Sequence, residues 1–113
     1  MTRHVLTLNL RDDPAVIQTY LDYHRRVWPE VLDSLLAAGV ERMDIHLLGR
    51  RLVMILDLAD GLDFRSSFAT HMESSPRVAE WERLMKSLQE PSPDAPERDW
   101  WAPMERVFHL QRP

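Results

Sequence analysis

Met43-Asp44-Ile45-His46-Leu47-Leu48-Gly49-Arg50-Arg51-Leu52-Val53-Met54-Ile55-Leu56-Asp57-Leu58 is the stretch that decides the fold. Two apolar-rich runs, residues 43–48 and 52–58, meet at Gly49-Arg50. A glycine at the first central position of a two-residue loop supplies the positive φ that a tight hairpin needs. The stretch therefore predicts two adjacent antiparallel strands. Leu52 to Leu56 run without a polar interruption, which marks the second strand as central and covered on both faces.

Upstream of the hairpin, Val5 to Leu10 alternates with period two and predicts an opening strand. Asp13-Pro14 follows as a helix start, with Asp at the N-cap and Pro at the first helical position. Apolar periodicity continues from there to Leu36, and Gly39 supplies the stop. Pro29 falls inside this span and removes the hydrogen bond to the Arg25 carbonyl, so a kink is expected there. Downstream, residues 62–71 predict a short helix. Ser75-Pro76 opens another that runs to about Leu88, with Val78, Trp81, Leu84 or Met85, and Leu88 on its inner stripe. Residues 90–99, with Pro91, Pro93 and Pro96, read as a loop, and Met104 to Leu110 alternates as a last strand.

The resulting order, β-α-β-β-α-β, is an α+β, ferredoxin-like plan. It gives a four-stranded antiparallel sheet with helices on one face. The other face of so apolar a sheet needs a cover. A second copy packed sheet to sheet would supply it, making a homodimeric α+β barrel.

Bulk properties narrow the function. The chain of 113 residues is one domain, residues 1–113, with no internal repeat. It has no cysteine, which excludes disulfides and thiolate chemistry and fits a reducing, cytoplasmic setting. A net charge of −4 without a Lys/Arg cluster argues against nucleic acid. No apolar run reaches a membrane span, and the alternating N-terminus is not a signal peptide. The histidines (His4, His24, His46, His71, His109) show no metal-ligand spacing, so no metal is expected. With three glycines and no glycine-rich loop, no phosphate-bearing cofactor is expected either.

Chemistry concentrates in Tyr20-Leu21-Asp22-Tyr23-His24-Arg25-Arg26-Val27-Trp28-Pro29-Glu30. Tyr20, His24 and Trp28 recur every four residues and share one helical stripe with core-type side chains. An imidazole titrates near ~6.5 and can give and take a proton at neutral pH. On such a stripe it is either a core histidine satisfied by a backbone or carboxylate partner, or an acid–base group. Four tryptophans, Trp28, Trp81, Trp100 and Trp101, are many for this length. Indole rings bury area and still offer a polar edge, which suits the C–H faces and hydroxyls of a sugar. Core packing is the plainer role for Trp81. Adjacent Trp100 and Trp101 should point opposite ways, one of them to a surface, lid or dimer contact.

Tyr20-x-x-x-His24 followed by Trp28-Pro29-Glu30 resembles the L-rhamnose mutarotase family, which includes L-fucose mutarotases. The resemblance extends over most of the chain, through the hairpin, Arg77-Val78-x-x-Trp81 with Met85, and Arg106 to Leu110. It implies a small dimeric enzyme that interconverts the α and β anomers of a 6-deoxyhexose. It puts the catalytic histidine at His24, the substrate-binding tyrosine at Tyr20 and the first of a tryptophan pair at Trp81. Glu82 stands where the rhamnose enzymes carry the second tryptophan, and Met43 where they carry a tyrosine. Met43, Glu82 and Trp28 therefore join the candidate sugar-binding residues, and the two exchanges point toward L-fucose, which differs at C2 and C4. No cofactor is implied. His24 would protonate the ring oxygen and recover the proton on closure. Water or Glu30 would serve the anomeric hydroxyl. The same plan also carries small monooxygenases, haem-handling proteins and non-catalytic sugar-binding modules.

Overall fold

A computed structural model describes residues 1–95 and 100–113. The order is β1 (Thr2–Leu10), α1 (Pro14–His24), α2 (Pro29–Ala37), β2 (Val40–Leu48), β3 (Arg51–Leu58), α3 (Phe64–Met72), α4 (Pro76–Leu88), β4 (Gln89–Glu90) and β5 (Ala102–Pro103). The sheet runs β2-β3-β1-β4, with β5 also paired to β1, and every pairing is antiparallel. This is the expected ferredoxin-like α+β arrangement. The hairpin closes with Leu48 opposite Arg51, and Gly49 holds a φ of 62° in the two-residue loop.

One face of the sheet meets the helices. Leu6, Leu8 and Leu10 of β1 and Leu52, Met54, Leu56 and Leu58 of β3 alternate onto it, all buried. Val78, Trp81, Met85 and Leu88 of α4 pack against them, so Met85 takes the inner position and Leu84 is only half-buried. The strand β3 is central, but helices cover one face only. On the other, Val53 and Ile55 are half-buried, while Asp57 is buried under the Arg3 guanidinium at 2.8 and 3.0 Å. That ion pair holds the Asp57 carboxyl below the usual carboxylate range.

The sequence departs from expectation at three places. Pro29 does not kink one long helix; it separates two. Trp28 takes φ −59° and ψ 136°, the extended conformation that a following proline imposes, so α1 ends at His24 and α2 begins at Pro29. Glu90 is not loop: the sheet position beside β1 is filled by two short pieces, Gln89–Glu90 against Asn9 and Leu10, and Ala102–Pro103 against Leu6 and Thr7. Pro91 and Pro93, just past β4, have no N–H to give the ladder; residues 96–99 of the expected loop lie outside the described residues. Finally, Met104 to Leu110 is not a strand of its own sheet. The Met104 amide bonds the Val5 carbonyl, and the chain beyond pairs with no described strand. Val107, Phe108 and Leu110 there are 89%, 76% and 81% exposed.

Candidate active site

The break before Pro29 places His24 at the last residue of α1. Its ring stacks on Tyr20, one turn earlier, with centroids 4.2 Å apart and planes at 29°. Nδ1 lies 2.8 Å from the Tyr20 carbonyl oxygen. A carbonyl only accepts, so Nδ1 carries the hydrogen and Nε2 is left to exchange a proton. Burial pushes the His24 imidazolium below its ordinary pKa. The Tyr20 carbonyl and the negative charge of Glu82 act in the opposite direction.

Trp81 is the hub of the aromatic cluster. It meets His24 at 5.5 Å, Trp28 at 5.1 Å and Tyr23 at 6.0 Å between ring centroids, all edge to face. Trp28 is clamped on its other side by the Arg77 guanidinium, 3.5 Å from the ring centroid. Trp28 thus backs Trp81 and is not among the residues lining the cavity below. Tyr20 is 3% exposed, and burial raises its hydroxyl pKa well above the usual phenol range, which keeps it neutral. Its hydroxyl bonds the side chain of Gln89, whose Oε1 accepts from Trp100 Nε1 at 2.8 Å.

These groups border a cavity of about 710 Å³ between the helices and the sheet. Tyr20, His24, Trp81, Met43 and Glu82 all line it, so five of the six candidate residues converge. Trp100 and Trp101 line it too: both rings turn inward, half-buried, rather than one each way. Glu30 does not. It is exposed in the first turn of α2, where a carboxylate complements the helix dipole.

One wall was not foreseen. His71, at the end of α3, is 3% exposed and joins Glu82 of α4 through Nε2 and Oε1 at 3.0 Å. Its Nδ1 lies 2.7 Å from Ser34 Oγ on α2, and Ser34 Oγ lies 2.8 Å from Ser74 Oγ. Residues 34, 71 and 82 have no local spacing that would have linked them.

Fold and site together define a class: a ferredoxin-like α+β domain whose helix-side cleft presents a tautomer-fixed imidazole among aromatic rings. Residues 3–110 match the family model described as L-rhamnose mutarotase. An L-fucose mutarotase of Xanthomonas campestris pv. campestris is 36% identical over 112 residues, covering 97% of this chain and 89% of that protein. An L-rhamnose mutarotase of Acidiphilium cryptum is 30% identical over 111 residues, covering 93% and 96% respectively. Among solved structures, an L-rhamnose mutarotase of Formosa agariphila superposes with a TM-score of 0.69 at 20% identity, over 98% of this chain and 100% of that one. A dimeric ferredoxin-like protein from an uncultured marine organism gives 0.54 at 13% identity, over 96% and 91%. The chain belongs to the L-rhamnose mutarotase family and is accordingly a sugar isomerase.

Proposed function

We propose that this protein interconverts the α and β anomers of a 6-deoxyhexose, L-fucose in preference to L-rhamnose, with His24 as the acid–base group at the ring oxygen. The observation that carries this reading is the His24 ring itself. Its Nδ1 is committed to the Tyr20 carbonyl, which leaves Nε2 for chemistry in a cleft bordered by Trp81 and Tyr20. Protonation of the ring oxygen breaks the C1–O bond as the anomeric hydroxyl loses its proton. Rotation about C1–C2 and reclosure, with the proton returning to Nε2, gives the other anomer. Tyr20 and Trp81 hold the sugar by a hydroxyl and a ring face, and Trp28 fixes the Trp81 ring from behind.

The preference for L-fucose is supported by two cavity residues, Met43 and Glu82, which replace the aromatic residues that the rhamnose enzymes resembled by this chain carry. The higher identity to the L-fucose mutarotase supports it as well. A homodimer is supported by the sheet face that carries no helices and by the exposed tail at Val107, Phe108 and Leu110. Burial of each such side chain is worth roughly 1.5–3 kcal/mol.

NMR exchange between the anomeric protons tests the activity, with L-fucose and L-rhamnose side by side. Wild-type protein should accelerate exchange, L-fucose more than L-rhamnose. His24→Ala should lower the enzymatic rate by about 10²–10⁴-fold without unfolding the chain. A folded His24→Ala protein with undiminished exchange would remove His24 from the mechanism.

A further inference from the structure

We infer that Glu82 is the second proton-transfer group, the one that serves the anomeric hydroxyl, and that buried His71 is its positioning residue. The inference rests on the mutarotase reading above and supplies the group which that reading leaves open.

Ring opening moves two protons, one to the ring oxygen and one from the anomeric oxygen. A single imidazole with one nitrogen committed to a carbonyl serves one of these sites. Among the described residues that line the cavity, Glu82 is the only carboxylate. It follows Trp81 directly on α4, and the Trp81 ring lies 5.5 Å from His24, so one helical turn delivers both the aromatic surface and the carboxylate. The charge of Glu82 acts on both His24 and Tyr20, which places it near the groups that would hold the sugar.

The support behind Glu82 is more elaborate than a surface carboxylate needs. Its Oε1 accepts from His71 Nε2, and the His71 side chain is only 4% exposed against 26% for Glu82. The far nitrogen of His71 is held by Ser34, and Ser34 by Ser74. The hydroxyl of Ser74 in turn donates to the His71 carbonyl at 2.7 Å. Burying an imidazole and a serine costs free energy unless every polar atom is satisfied. This network satisfies them and fixes one carboxylate oxygen, leaving the other with no partner among the described residues. Such outer partners orient the groups that do chemistry.

The step balances without a cofactor. The cycle starts from the His24 imidazolium, with Nδ1–H on the Tyr20 carbonyl and a second proton on Nε2, facing the Glu82 carboxylate. Nε2 gives its proton to the ring oxygen and leaves His24 neutral, the C1–O bond breaks, and the anomeric O–H proton passes to Glu82 as C1=O forms. After rotation, the new ring hydroxyl returns its proton to His24, and Glu82 returns its own to the anomeric oxygen. The pair ends as it began.

Glu82→Gln tests this. The amide oxygen still accepts from His71, so the wall survives while the basicity is lost. Exchange at saturating sugar should fall about 10²-fold or more, with sugar affinity, read by tryptophan fluorescence, changed less than about threefold. Glu82→Ala should fall similarly and be restored in part by added formate. His71→Leu should lower kcat about tenfold at little changed KM, and His71→Gln, which keeps an N–H donor, should recover most of it. Wild-type exchange in Glu82→Gln would overturn the inference. So would a loss of affinity that accounts for the whole loss of rate, or a Glu82→Ala protein deaf to formate. A wild-type protein that accelerates no 6-deoxyhexose fails differently: it overturns the mutarotase reading and this inference with it.

Discussion

Replacing Ser34 by Ala removes a single oxygen, and the structure predicts a cost well above that of one ordinary hydrogen bond. Ser34 is 9% exposed and its Oγ meets His71 Nδ1 at 2.7 Å and Ser74 Oγ at 2.8 Å. Loss of a bond between groups that can both return to water costs about 0.5–1.5 kcal/mol. Ser74 is such a group, because the residue is exposed and water can replace its lost partner. His71 is not: it is 3% exposed, and Ser34 is the partner of its Nδ1. Orphaning a buried polar atom costs about 1–3 kcal/mol, and this effect dominates. For a domain of this size the loss lowers Tm by roughly 4–12 °C. Urea unfolding followed by tryptophan fluorescence, at one protomer concentration, measures it. The decisive comparison is Ser34→Ala in a His71→Leu background, where there is no nitrogen left to orphan. There only the Ser74 bond is left to lose, at about 0.5–1.5 kcal/mol, so the two backgrounds should differ by a coupling of about 1 kcal/mol or more. Equal costs in both backgrounds would refute the reasoning, as would a single variant within 0.5 kcal/mol of wild type.

Two further outcomes follow from the fold and from His24. The folded His24 is held below its ordinary pKa of 6.5 by burial, so above that pH neither folded nor unfolded chain carries the proton and stability is unaffected. As pH falls through 6.5, the unfolded chain binds a proton that the folded one resists, and stability declines until the depressed folded pKa is reached. His24→Ala should flatten this part of a stability–pH curve, and an unchanged slope would contradict the assignment of burial as the cause. The exposed tail gives the second outcome: if the proposed homodimer uses it, Phe108→Asp should shift sedimentation equilibrium toward monomer relative to wild type, with anomer exchange measured alongside. A dimer of unchanged affinity would show that the tail is no part of the contact.

The fold was legible because its signals are local. A two-residue loop with glycine, Asp13-Pro14, and Ser75-Pro76 each act within one turn of chain. All three behave as their chemistry requires: Gly49 has positive φ, Asp13 accepts from the Ala15 amide at 2.9 Å, and Ser75 from the Val78 amide at 3.2 Å. The misreadings arose where local pattern and neighbours compete. Periodicity ran through Pro29, but the conformation a proline imposes on the residue before it decided for two helices. Alternation at Met104 to Leu110 suggested a strand, but it carried no information on a partner, and the segment is exposed throughout and forms no strand with the described residues. The position beside β1 had already been taken by Gln89–Glu90 and Ala102–Pro103.

The site divides along the same line. Tyr20 and His24 lie on one stripe of α1 and stack, so their association was visible in the numbers alone, whereas Trp28, beyond the end of α1, meets His24 through Trp81. Ser34, His71 and Glu82 come from three helices and are joined only by tertiary packing, 37 residues apart for the first pair and 11 for the second. Each alone looks ordinary: a serine in a helix, a histidine at a helix end, a glutamate on an amphipathic helix. What identifies them afterwards is the combination of burial and complete pairing. A histidine 3% exposed with both ring nitrogens engaged, one of them by a cavity carboxylate, is costly to build. A glutamate in place of a tryptophan beside Trp81 had marked a change in the pocket without saying of what kind. The His71 contact gives that change a chemical sense under the inference above: a carboxylate anchored at one oxygen stands where the resemblance sets a tryptophan, and there it would accept a proton. On that proposal stacking would fall to Trp81, Trp100 and Trp101, which all line the same cavity.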